Sequence, residues 1–189
     1  MDLELSLSST PRPVPSTTSS SSNDRVTRPP FPWATNDEAT VHSLLYLRSK
    51  NITKISGKVQ CMRCNTNYMH EFDLEEKFSG IVEYIYENKE RMGGRATKQW
   101  RVPNCLTCNH CGEPNCVRPV PPDNNRNEKI NWLFLLLGQF LGYCTLQQLH
   151  YFCKHSGYHR IGARDRVLYI TYLALCKQLD PKGAFDIIY

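Results

Sequence analysis

Beyond about position 30 the apolar residues recur with two different periods, and those periods define the expected elements. Val41, Leu44, Leu45 and the stem of Arg48 lie at helical spacing behind Thr35-Asn36-Asp37-Glu38, a capping-box pattern, so a helix is expected over about 36–49. Ile52 to Gln60 is rich in β-branched residues and reads as a strand. Tyr68, His70 and Phe72 alternate with Met69 and Glu71 as a returning strand would. Leu74, Phe78, Ile81, Val82 and Ile85 form one stripe of a helix over about 74–92, opened by Asp73 and Glu76 and stopped by Gly93-Gly94. The proline-rich stretch from Val117 to Glu128 reads as a linker. Three helices are then expected, over about 130–143, 145–157 and 163–179. Thr145 and Gln148 make a capping box for the second, Pro181 stops the third, and Val167, Leu168, Leu173, Leu175, Cys176 and Leu179 are its core candidates.

This pattern gives an α+β fold that is mainly α, with a β-hairpin region packed with a C-terminal helical bundle. Residues 1–30 are different: eight Ser, four Thr and five Pro leave too little apolar surface to offset the entropy of ordering, so a disordered tail is expected there. A single domain over 31–189 follows it. The junction, Pro29-Pro30-Phe31-Pro32-Trp33, reads as a stiff stretch that docks two aromatic rings. The most apolar run, Ile130 to Leu141, is too short to cross a bilayer and reads as a buried helix.

Net charge of +5 and a pI near 8.7 permit contact with nucleic acid without demanding it. The chain opens Met1-Asp2-Leu3-Glu4, with no basic residue before Arg12 and no apolar run behind it, so no secretory signal is expected and the protein should be nuclear or cytoplasmic. In a reducing compartment the nine cysteines read as thiolate ligands or small buried hydrophobes rather than disulfides.

Cys61-x-x-Cys64 and Cys108-x-x-Cys111 are two paired-thiol hooks, and four thiolates suit a tetrahedral structural Zn²⁺. Cys105 and Cys116 flank the second hook as alternate ligands, and His70 and His110 are substitutes. The competing account is a set of reduced, partly buried thiols. A redox pair is disfavoured because neither hook opens a helix in a strand-helix-strand unit. A nucleophile built from Cys153 with His150, His155 or His159 lacks an oxyanion hole and an orienting carboxylate, so no enzyme and no small-molecule substrate are expected.

Leu3, Leu5 and Leu7 alternate with Glu4 and Ser6 and would project on one side of an extended peptide. Burying three leucines yields roughly 5–8 kcal/mol before the cost of ordering, enough for a micromolar contact. The segment resembles the LxLxL form of the plant EAR repression motif, a resemblance that implies recruitment of a TOPLESS-type corepressor. Incidental hydrophobicity in a disordered tail is the alternative. His159, Arg160, Arg164 and Arg166 cluster at the last interhelical turn and could hold phosphate, or they form a solvated loop compensated by Asp165.

The run Ile130-Asn131-Trp132-Leu133-Phe134-Leu135-Leu136-Leu137-Gly138-Gln139, with Tyr151-Phe152-Cys153-Lys154-His155 and Arg164-Asp165-Arg166-Val167-Leu168-Tyr169, closely resembles a plant family of uncharacterised proteins, domain of unknown function 7086. Pro30-Phe31-Pro32-Trp33-Ala34-Thr35 and Cys108-x-x-Cys111-Gly112 match it as well. The resemblance brings no known activity, but it supports Cys108 and Cys111 over Cys105. The reading it leaves is a nuclear adaptor or repressor with a zinc-stapled domain, against a protein-protein scaffold with an incidental tail or a direct nucleic-acid binder.

Overall fold

The computed structural model describes residues 29–122, 126–158 and 162–187. A three-stranded antiparallel sheet in the order β2-β1-β3 carries the Cys-rich half, from β1 (Lys54–Cys61), β2 (Asn67–Asp73) and β3 (Val117–Pro119). β1 alternates as a half-buried strand does, with Ile55, Gly57, Val59 and Cys61 inward between exposed Lys54, Ser56 and Lys58. Its register runs from Lys54↔Asp73 to Gln60↔Asn67 against β2, and from Val59↔Pro119 to Cys61↔Val117 against β3. Cys61 therefore ends the central strand, beside the turns that lead into both of its neighbours.

Six helices accompany the sheet among the described residues: α1 (Leu44–Ser49), α2 (Leu74–Met92), α3 (Lys98–Arg101), α4 (Trp132–Leu137), α5 (Leu146–His155) and α6 (Arg164–Leu179). The α2 start is the expected one, with the Asp73 carboxylate accepting the Glu76 amide at 2.9 Å, and Gly93 ends it in the left-handed region. The α5 capping box also forms: Thr145 Oγ1 accepts the Gln148 amide and Gln148 Oε1 accepts the Thr145 amide.

α6 is buried continuously from Val167 to Cys176, as a helix surrounded by other elements must be. α5 packs along it, and Tyr172 stacks on the fully buried Trp100 of α3 at 3.9 Å. Phe72, Phe134 and Phe140 join the sheet to α4, and one core runs from Trp33 to Phe185. Phe134 lies so close to β1 that a Cβ at Gly57 would sit 2.4 Å from its ring. Gly57→Ala is thus expected to cost about 1–3 kcal/mol by overpacking, read as a lower denaturant midpoint with an unchanged slope.

Three expectations change. The first helix is only α1, capped by Ser43, because Thr35 does not cap a helix. Its hydroxyl pairs with Thr40 at 2.6 Å instead, closing a tight turn that brings Ala34 opposite Val41. The helix expected over about 130–143 breaks after Leu137. Gln139 adopts φ 55° there and accepts bonds from Trp100 Nε1 and Gln99, so side-chain pairing across the core wins over helix continuation. Part of the expected linker is strand β3, held by Cys61 and Gln60 through Val117 and Arg118, with its proline at the sheet edge. The docking of Pro29–Trp33 is as expected: Phe31 and Trp33 stack at 4.7 Å and Trp33 is buried.

Candidate metal centre

Each hook occupies a turn of the sheet. The first lies between β1 and β2. The second lies in a loop closed by pairing of Leu106 with Val117 at the start of β3. The two turns repeat one design. In the first, the amides of Arg63 and Cys64 donate to Cys61 Sγ at 3.3 and 3.4 Å; in the second, those of His110 and Cys111 donate to Cys108 Sγ at 3.4 and 3.5 Å. The Cys61 amide donates to the Thr66 carbonyl, and the Cys108 amide to that of Glu113, five residues on in both cases. Directly after each second cysteine the backbone turns left-handed, at Asn65 (φ 57°) and Gly112 (φ 74°). Glycine and asparagine are the residues that tolerate that conformation.

The turns place Cys61, Cys64, Cys108 and Cys111 with all four sulfurs within 4.8 Å of one another. Cys61 Sγ lies 3.7 Å from Cys111 Sγ, and Cys64 Sγ lies 3.8 Å from Cys108 Sγ. A tetrahedral ion with metal–sulfur bonds of about 2.3 Å requires sulfurs about 3.8 Å apart, so the four side chains fit a thiolate-bound cation. Cys61 and Cys108 are buried and Cys64 and Cys111 exposed, which leaves the centre at the surface end of the sheet.

Electrostatics point the same way. Burial would raise the Cys61 thiol, but the amides of Cys64 and Arg63, with the neighbouring thiols of Cys116 and Cys64, outweigh it and bring it down to about 6. Cys64 is lowered by the hydroxyl and amide of Thr66. Cys111 receives the Glu113 amide, yet desolvation and the crowding of Cys108, Cys61 and Cys64 push it up to about 12. The first thiolates form readily and the last resists because it joins like charges. A divalent cation removes that repulsion.

The alternates fall outside the cluster. The Cys116 sulfur lies 3.4 Å from Cys61 Sγ but donates its proton to the Glu113 carbonyl at 3.1 Å, and burial and the Cys61 thiol raise its pKa. Cys105 instead meets the Tyr143 hydroxyl at 3.1 Å, while that hydroxyl donates to the Pro103 carbonyl. His70 packs edge-on against Phe72, and His110 against Tyr68. Cys144, Cys153 and Cys176 are buried in the helical half, and desolvation pushes Cys144 up to about 12 and raises Cys176.

At the expected basic turn, Arg164 is engaged within the domain: its guanidinium donates to the carbonyls of Gly142 and Cys144 at 2.7 and 3.0 Å, ties α6 to the preceding 3₁₀ turn (Leu141–Tyr143), and is half-buried. Asp165 is held by Arg95 through two bonds of 3.1 Å, and its Oδ1 also accepts the Arg166 amide at 2.9 Å. Arg164→Met should leave those two carbonyls unpaired at a cost of about 1–3 kcal/mol, measurable as a lower melting temperature. Arg166 is half-buried at the same helix start, while His159, Arg160 and the leucines Leu3, Leu5 and Leu7 lie outside the described residues.

Thr66, which meets the Cys64 sulfur at 3.3 Å, and Asn65 were not anticipated as parts of the site. The signal for Asn65 was present as a shared Cys-x-x-Cys-Asn/Gly pattern. No helix among the described residues is long and apolar enough to cross a membrane. A family model described as a domain of unknown function (DUF7086) matches residues 44–179, a span that includes both hooks. No curated protein and no solved structure matches the chain.

Proposed function

We propose that the chain, which belongs to the family of the domain of unknown function DUF7086, is a non-enzymatic interaction protein. In this reading it is a nuclear adaptor or transcriptional repressor whose zinc-stapled domain carries an N-terminal peptide that recruits a TOPLESS-type corepressor. The observation that carries the reading is the closure of the two hooks on each other. Four protein thiolates complete a tetrahedron, so no coordination position is left for water or substrate, and an ion held this way fixes a fold rather than activating a nucleophile. Zn²⁺ is the occupant this donor set favours, because its filled d shell accepts tetrahedral geometry and binds sulfur strongly. The ion would tie the β1–β2 turn to the loop before β3, beside the bond from the Met62 amide to the Cys116 carbonyl at 2.7 Å.

Recruitment draws its support from the sequence. Leu3, Leu5 and Leu7 stand at period two beside Asp2 and Glu4, ahead of a Ser-rich spacer, in the form of a peptide that a partner's groove can take. With Arg164 and Arg95 engaged within the domain, nucleic acid is the less favoured partner. The test is capture of a purified TOPLESS-type corepressor by the full chain and by its Leu3→Ala/Leu5→Ala/Leu7→Ala variant. Capture by the parent alone supports recruitment, whereas equal retention by both leaves a scaffold with an incidental tail.

A further inference from the structure

A groove of about 980 Å³ opens between the outward side of β1, the prolines that follow β3, a 3₁₀ turn (Asn127–Lys129) and the start of α4. Phe31, Val120, Ile130 and Leu135 contribute apolar surface, while Lys58, Arg126 and Lys129 stand exposed on its rim. Among the described residues that line it, none is acidic. The groove thus suits a ligand that is apolar and negatively charged together.

Its wall includes Pro30 and Phe31, where the N-terminal segment joins the folded domain. That segment begins Asp2-Leu3-Glu4-Leu5-Ser6-Leu7, three leucines interleaved with two carboxylates and no basic residue. We propose that residues 2–7 dock in this groove within the same chain, with the leucines on the apolar floor and Asp2 and Glu4 toward Lys58, Arg126 and Lys129. The 21 residues from 8 to 28 would be the tether. Ser-rich linkers of that length have a root-mean-square span of roughly 25 Å, enough to turn back onto a groove at their own root. Such a tether presents the peptide at an effective concentration on the order of a millimolar, so an intrinsic Kd of about 0.1 mM would keep the groove about 90% filled. The groove becomes a built-in competitor for the leucine peptide, which any outside partner of those leucines must displace. This docking does not rest on the identity of that partner.

Replacing Leu5 of the full chain by the photo-crosslinking residue p-benzoylphenylalanine tests it. Irradiation should give adducts concentrated on the peptides carrying Phe31, Met69 and Ile130–Leu135, with a yield unchanged over a hundredfold dilution. Lys58→Glu/Arg126→Glu/Lys129→Glu changes exposed side chains and should stay cooperatively folded, its melting temperature lower by no more than the few degrees that loss of docking removes, while lowering the yield several-fold. Adding Asp2→Lys/Glu4→Lys to that variant should recover it. Adducts scattered over the domain, adducts joining two chains, or a yield unaffected by the rim substitutions would overturn the proposal. No corepressor enters this experiment, so its failure would leave the recruitment reading where it stood.

Discussion

Full chain carrying Cys108→Ala is expected to purify without zinc and without a cooperative melting transition, whereas the parent carries about one zinc per chain. The loss is large because Cys108 takes part in both halves of the centre. Its sulfur is 3.8 Å from Cys64 across the two turns, and it anchors the amides of His110 and Cys111 within its own. Structural zinc supplies roughly 10–16 kcal/mol in small zinc domains, as much as or more than the roughly 5–15 kcal/mol that holds a typical domain folded. Three thiolates left at close range also repel each other without a cation. Cys61→Ala should behave in the same way. Cys176→Ala is the control: that thiol is fully buried in α6 and is not part of the four-cysteine cluster, so the variant should keep its zinc and lose about 1–2 kcal/mol to a small cavity. Elemental analysis of reductant-protected protein, paired with thermal melts, decides the matter. A Cys108→Ala protein that retains zinc, or melts within a few degrees of the parent, would contradict the stapling role.

The second large effect concerns binding and touches stability little. Changing Leu3, Leu5 and Leu7 together to Ala should abolish corepressor capture, because truncating three leucines removes most of the roughly 5–8 kcal/mol of apolar burial available to the peptide. The melting temperature of the domain should fall by no more than the few degrees that loss of the tail's own docking removes, since the core of the described residues begins at Trp33. A variant that loses its cooperative melting transition along with capture would mean that the tail is part of the fold, and the adaptor reading would need a different anatomy.

Much of this architecture can be read from residue order, and the parts that cannot share a cause. Asp73 with Glu76, and Thr145 with Gln148, are local signals whose partners lie three residues away, and both caps form at the expected positions. The hairpin around the first hook follows from period two in β1 and β2. What local pattern could not supply were outcomes decided by distant partners. Gln139 leaves the helix because Trp100 and Gln99 donate to it, and Thr35 serves a turn because Thr40 is within reach. Val117–Pro119 pairs with β1 despite its proline because an edge strand can leave an amide out of the ladder. The four ligand candidates were legible from two Cys-x-x-Cys spacings, but the choice against Cys105 and Cys116 needed Tyr143 and the Glu113 carbonyl. The partners of Arg164 were not legible because the carbonyls of Gly142 and Cys144 lie some twenty residues upstream.

Recruitment would depend most directly on the leucine peptide itself. Calorimetric titration of a synthetic peptide of residues 1–12 into a purified TOPLESS-type corepressor domain should give a micromolar Kd, the affinity left when a few buried leucines offset the ordering of a short flexible segment. The Leu3→Ala/Leu5→Ala/Leu7→Ala peptide should give no heat of binding at the same concentrations. Absence of binding by the parent peptide at several hundred micromolar, or equal affinity for the two peptides, would contradict recruitment and leave the protein a scaffold.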